Sequence, residues 1–209
     1  WTAAIDAAVR RHPMLRTVFE RDGVRTLQRA LPAPSPLFQT RLDRITETES
    51  RLTVTFHHGI GDAWSAYRLG LEVLQSYHGE PVAAPASDYR DVVAYYESLR
   101  NRARPESLEF WRSTFAESWP EARIECLRST TSLLLEQPAT QALLEYARRN
   151  GTTLNRVLLT AWFRALRRIG GVDDLVVGTA ISGRDLPIAD VERVFGCFVT
   201  ALPIRARLG

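Results

Sequence analysis

The chain has 209 residues, 45% of them hydrophobic and 24% charged, with a formal net charge of +3, which suits one large or two small domains with a buried core. No apolar run reaches the roughly 18 residues of a membrane span, and Trp1 opens a segment without a charged leader and apolar core, so neither an anchor nor a targeting peptide is expected. All 27 basic side chains are arginines, scattered among acids with no single-sign run that marks a nucleic-acid face.

Taken in chain order, Ala3 to Val9 is apolar on one face and reads as a helix ended by Pro13. Asp22-Gly23 is a turn signal between Thr17-Val18-Phe19 and Val24 to Leu27, which predicts a hairpin. Pro32, Pro34 and Pro36 interrupt regular structure, and Leu37 to Leu42 and Arg51 to Phe56 supply two further strands. A helix is expected from Asp62 to about Tyr77, another from Asp88 through Arg100, and a third from Glu106 to Phe115. Between Trp119 and Thr131 the pattern dissolves, which marks a boundary between residues 1–125 and 126–209. Beyond it, Ser132 to Glu136 reads as a strand. Ala139 to Asn150 reads as a helix closed by Gly151, Thr153 to Ile169 as a helix closed by Gly170-Gly171, and Leu175 to Ile181 as a buried strand. Strands mixed with helices on both sides of the boundary indicate an α/β or α+β sandwich. Cys126 and Cys197 are read as two reduced cytosolic thiols, because a chain of this size needs no staple.

Titratable groups, flexible backbone and a strand-to-helix junction coincide at His57-His58-Gly59-Ile60-Gly61-Asp62-Ala63-Trp64-Ser65. Leu52, Val54 and Phe56 alternate with Thr53 and Thr55, and Ala66, Leu69, Val73, Leu74 and Tyr77 follow at helical spacing. The histidines therefore sit where a strand ends, a place from which a side chain reaches into a crevice. An imidazole titrates near pH 6.5, so near neutrality it can take a proton and return it. Adjacent strand residues point to opposite faces, so only one of the pair is expected to face a substrate if strand geometry persists. Asp62 is placed to cap the helix that follows. His57, His58 and Asp62 are metal-ligand types, but no further His, Cys or Glu cluster supplies a fourth ligand, and no metal is expected. No serine lies in a Gly-x-Ser-x-Gly elbow.

The same stretch resembles the HHxxxDG motif of condensation domains of nonribosomal peptide synthetases, in the chloramphenicol acetyltransferase-like superfamily. Four further segments resemble that family in the right order: Arg11-His12-Pro13-Met14-Leu15-Arg16-Thr17, Tyr89 to Trp111, Ser182-Gly183-Arg184, and Gly196-Cys197-Phe198-Val199-Thr200-Ala201-Leu202-Pro203-Ile204-Arg205. The resemblance implies a V-shaped, two-lobe fold of mixed sheets and helices with a tunnel between lobes. Family members are roughly twice this length, so the expectation is a fragment holding an N-terminal lobe and the start of an incomplete second lobe.

The resemblance also implies the activity: a donor acyl or peptidyl thioester joined to the amine of an acceptor aminoacyl thioester. Both ride on phosphopantetheine arms of carrier proteins, and the domain itself binds no cofactor. Implied partners are donor and acceptor carrier proteins and neighbouring synthetase domains, without nucleic acid or membrane, in the cytoplasm. His58 takes the catalytic position, His57 is a structural neighbour, and Asp62 pairs with Arg184. Gly61, Ala63, Trp64, Ser65, Ser182 and Thr200 are candidates for the substrate tunnel. Epimerisation relatives carry Glu-Gly-His-Gly-Arg-Glu where this chain has Thr179 to Asp185, and cyclisation relatives replace the histidines with aspartates, so neither subtype is expected. Two departures stand out: Ala63 where the family has glycine, and Thr200-Ala201 where it has Asn-Thr. Ala63 is strained if its backbone angle is positive, and Thr200 lacks an amide donor. The departures motivate a rival reading, a catalytically silent recruitment or gating domain; a free-standing acyltransferase of the superfamily is another.

Overall fold

Ala4, Ala8 and Val9 fall on one face of the first helix, α1 (Thr2–Arg11), and all three are buried. That helix opens a computed structural model describing residues 1–100, 102, 104–117 and 130–208. A short 3-10 turn at Pro13–Arg16 leads into β1 (Thr17–Asp22), which pairs antiparallel with β2 (Arg25–Ala30) around Gly23. A second antiparallel pair joins β3 (Phe38–Arg44) to β4 (Ser50–Phe56), with Phe38 opposite Phe56 and Leu42 opposite Leu52. Next come α2 (Ala63–Tyr77), α3 (Tyr89–Arg100) and α4 (Pro105–Thr114), close to their expected bounds. The remaining elements are α5 (Gln137–Arg149), α6 (Leu154–Gly170), β5 (Asp174–Ile181) and β6 (Thr200–Arg207). β5 and β6 pair with each other, so the described residues form an α+β chain with three two-stranded sheets.

The division into compact units is not a single cut. One unit comprises Trp1–Ala103 and Ala180–Ala201, the other Arg104–Thr179 and Leu202–Gly209. This differs from the division at 125/126, because residues 180–201 return to the first unit and supply Arg184, Val194, Phe195 and Phe198 to its interior. In that unit the core gathers α1, Met14, Leu15, Phe38, Ile60, Leu69, Val73 and Phe195. The second unit buries Ala147, Phe163 and Leu175. There Arg205 of β6 bonds Asp174 Oδ1 at 2.9 Å and the Thr114 carbonyl at 2.8 Å.

Two strand readings need correction. Residues 132–136 form no strand, and Leu133 and Leu134 are exposed; no neighbouring strand pairs with them among the described residues, and an unpaired apolar run makes no sheet. β5 forms, but only Leu175 in it is buried, so it is not a strand covered on both faces. β6 escapes the sequence pattern because Pro203 within it argues against a ladder position. The heart of the expected boundary, 118–129, lies outside the described residues and Cys126 with it.

Candidate functional site

β4 ends at Phe56, but the His57 N–H still donates to the Leu37 carbonyl at 2.9 Å, extending the β3–β4 pairing by one step. A 3-10 turn at His58–Ile60 follows, so turn geometry rather than strand alternation separates the two histidine side chains. His57 Nδ1 accepts the Gly59 N–H at 3.0 Å, which gives this imidazole a local structural task. His58 is exposed, and among the described residues its ring has one hydrogen-bond partner, Cys197 Sγ, 3.6 Å from Nδ1, and none at Nε2.

Beneath the histidines lies a buried polar latch. Asp62 is the N-cap of α2 and accepts the Ser65 N–H at 2.8 Å. The same carboxylate pairs with Arg184 Nη2 at 3.1 Å and accepts the Phe198 N–H at 3.0 Å. Capping and ion pairing are thus simultaneous. Burial pushes the Asp62 carboxyl up, but the N–H groups of Ser65 and Phe198 and the charge of Arg184 outweigh that, leaving it below the ordinary carboxylate value. Arg184 Nη1 donates to the Val191 and Val194 carbonyls at 2.9 and 2.8 Å, and the guanidinium lies 3.8 Å from the centre of the Phe198 ring. This arginine closes the segment around 191–198 while holding Asp62.

Two glycines let the latch close. Gly183 has φ of +66°, and a Cβ there lies 2.1 Å from the Phe198 carbonyl oxygen, so a side chain is excluded by both backbone and space. A Cβ on Gly61 meets the Phe195 ring at 2.8 Å. Ala63, in contrast, is the first residue of α2 and is absent from the positive-φ set, so the departure from glycine brings no backbone strain.

The candidate tunnel residues divide. Gly61 and Ser65 are buried, packed or bonded inside the first unit, and serve the latch rather than an open surface. Ala63, Trp64, Ser182 and Thr200 are exposed. Trp64 is nevertheless tethered, with Nε1 donating to the Glu192 carbonyl at 2.9 Å.

Several partners carry no sequence signal. Ser65 reaches Gly196, and the Tyr89 hydroxyl donates to the Cys197 carbonyl at 2.6 Å; burial, with Cys197 nearby, pushes this phenol up to about 12. His12 is buried with Nε2 2.8 Å from Glu72 Oε2, and Arg11 joins the same oxygen at 3.1 Å. His78 caps the end of α2. Among the described residues no group of three or more His, Cys, Asp or Glu is arranged to hold a metal ion, and no helix is long and apolar enough to cross a membrane.

An α+β chain with a histidine-bearing turn over a buried Asp–Arg latch defines the class: it has the chloramphenicol acetyltransferase-like fold of condensation domains. The first condensation domain of the calcium-dependent antibiotic synthetase, in complex with a substrate analogue, matches with a TM-score of 0.81 and 20% identity, over 100% of this chain and 61% of that one. The X-domain from teicoplanin biosynthesis, solved in complex with OxyB, gives a TM-score of 0.76 at 22% identity, over 99% and 57%. The condensation domain family profile matches residues 31–209, and the chain belongs to that family. Tyrocidine synthase 3 of Brevibacillus parabrevis is 27% identical over 245 residues, covering 98% of this chain and 4% of that synthase. The chain thus spans a small fraction of that relative. The matched stretch is longer than the chain itself, so the relative holds positions this chain lacks.

Proposed function

We propose that the chain acts as a peptide-bond-forming condensation domain, with His58 as the catalytic group. A carrier-bound acceptor amine attacks the carbonyl of a carrier-bound donor thioester. The C–N bond forms as the C–S bond breaks, the nitrogen sheds one proton, and the departing phosphopantetheine sulfur leaves with one. Holding amine and thioester together supplies most of the rate, since a well-oriented pair replaces a bimolecular encounter. His58 Nε2 takes the amine proton or holds the amine in place. The observation that carries this reading is the exposed His58 ring, presented by a turn that runs through Gly61 to Asp62, which is locked by Arg184.

In this reading the partners are donor and acceptor carrier proteins and neighbouring synthetase domains, and the phosphopantetheine arms belong to the carriers. Asp62, Arg184 and His57 support the motif, and the exposure of Ala63, Trp64, Ser182 and Thr200 supports a role for them in meeting substrate. The test is intact-mass analysis of an acceptor-loaded carrier after incubation with a donor-loaded carrier and the full-length protein. The acceptor carrier is expected to gain the donor acyl mass; an unchanged mass with a folded, carrier-binding protein overturns the reading.

A second reading, a silent recruiting domain, draws support from the fold shared with an X-domain solved in complex with another protein. The Thr200-Ala201 departure supports it as well. The Ala63 departure does not, since its backbone is unstrained.

A further inference from the structure

Cys197 is a free thiol whose place is fixed on both sides. Before it, Gly196 is bonded through both its N–H and its carbonyl to Ser65; after it, the Phe198 N–H is held by Asp62. Its own carbonyl accepts the Tyr89 hydroxyl. With the backbone pinned at three consecutive residues, the side chain has little freedom beyond rotation about one bond. It lies with Sγ 3.6 Å from His58 Nδ1.

We propose that Cys197 is a positioning residue for His58: its sulfur accepts the Nδ1–H, sets the direction of the imidazole, and leaves Nε2 with the lone pair that meets the reacting amine. This inference rests on the reading of His58 as the catalytic group. The ring needs such a partner, because it stands exposed on a short turn with no other hydrogen-bond partner among the described residues. Second partners of this kind fix both the orientation and the tautomer of an imidazole. Burial and the Asp62 charge push the Cys197 thiol up, so it stays protonated and serves as a hydrogen-bonding group rather than a nucleophile. Through Phe198 and Gly196 the latch therefore also sets the base: Arg184 and Asp62 hold the segment, the segment places the thiol, and the thiol orients His58.

The test compares wild type, Cys197→Ala and Cys197→Ser in the full-length protein, labelled with 15N-histidine. The His58 ring signals are identified by their loss in His58→Gln. The alanine variant is expected to shift the His58 nitrogen resonances towards the tautomer mixture of a free imidazole, with an unchanged thermal midpoint, and serine to restore part of the wild-type pattern. In the mass assay kcat is expected to fall roughly tenfold with KM unchanged, inside the loss of up to about 100-fold that follows a 1 Å misplacement. Unaltered His58 resonances in a folded Cys197→Ala protein overturn the proposal whatever the activity. Altered resonances in a protein that never forms product leave the thiol–imidazole pair standing and count against the condensation reading instead.

Discussion

Ser65 grips Gly196 from both sides, its hydroxyl donating to the Gly196 carbonyl at 2.8 Å and accepting the Gly196 N–H at 3.1 Å, although 131 positions separate them. Arg184 Nη2 supplies a third bond at 2.9 Å. A hydroxyl has one proton and two lone pairs, so this one is fully used. Ser65→Ala leaves a buried backbone N–H and a carbonyl without that partner, and is expected to cost about 1–3 kcal/mol. Urea unfolding of the purified variant measures it; a midpoint equal to wild type contradicts the role.

The Asp62–Arg184 pair makes a second prediction. Removing either charge strands the other where solvent does not reach, at a cost of about 3–5 kcal/mol. Arg184→Met and Asp62→Asn are each expected to destabilise strongly, and the double variant by clearly less than their sum. Additive losses in a double-mutant cycle contradict the direct pairing.

Gly61 is held by space. Gly61→Ala drives a methyl to 2.8 Å from the Phe195 ring, and such overpacking costs about 1–3 kcal/mol. Phe195→Leu is expected to recover part of that loss when combined with Gly61→Ala, although it is destabilising alone. Thermal unfolding of the four proteins reads the effect, and independent losses contradict the contact.

Acid stability follows from two buried carboxyls. Asp62 and Glu72 both titrate below their ordinary values: burial pushes each up, but hydrogen bonds and neighbouring charges, Arg184 for Asp62 and His12 and Arg11 for Glu72, pull harder. A carboxyl lowered by folding stabilises the native state fully above its unfolded value, and that stabilisation is lost as pH falls through the folded one. Stability is therefore expected to decline from about pH 5 downward. Asp62→Asn, weaker than wild type at pH 7, should show a shallower decline, seen as converging chemical-denaturation midpoints below about pH 4. Parallel pH curves contradict this.

Local pattern carries much of the first unit. The Leu52-Val54-Phe56 alternation predicts β4, and the apolar spacing after Asp62 predicts α2 with its cap. Asp62 and Arg184 come together through family resemblance, since 122 positions of intervening chain hide the pair from any local rule. Ser65 reads in the sequence as a tunnel candidate, and its bonds to Gly196 stay hidden because that partner offers only backbone atoms, which no side-chain pattern announces. Cys197 reads only as a reduced thiol for a related reason: its neighbour His58 is set by tertiary contact. The Ser132 to Glu136 strand fails where periodicity has no partner to act on.

In the proposed reaction His58 handles the amine proton while proximity does the rest. The most direct measurement is the single-turnover rate of amide formation, with both carriers preloaded, for wild type and a folded His58→Ala. Amide product is expected from wild type, with a rate at least about 100-fold lower in the variant, the usual reach of a positioned acid–base group. Equal rates, under conditions where bond formation limits turnover, contradict it.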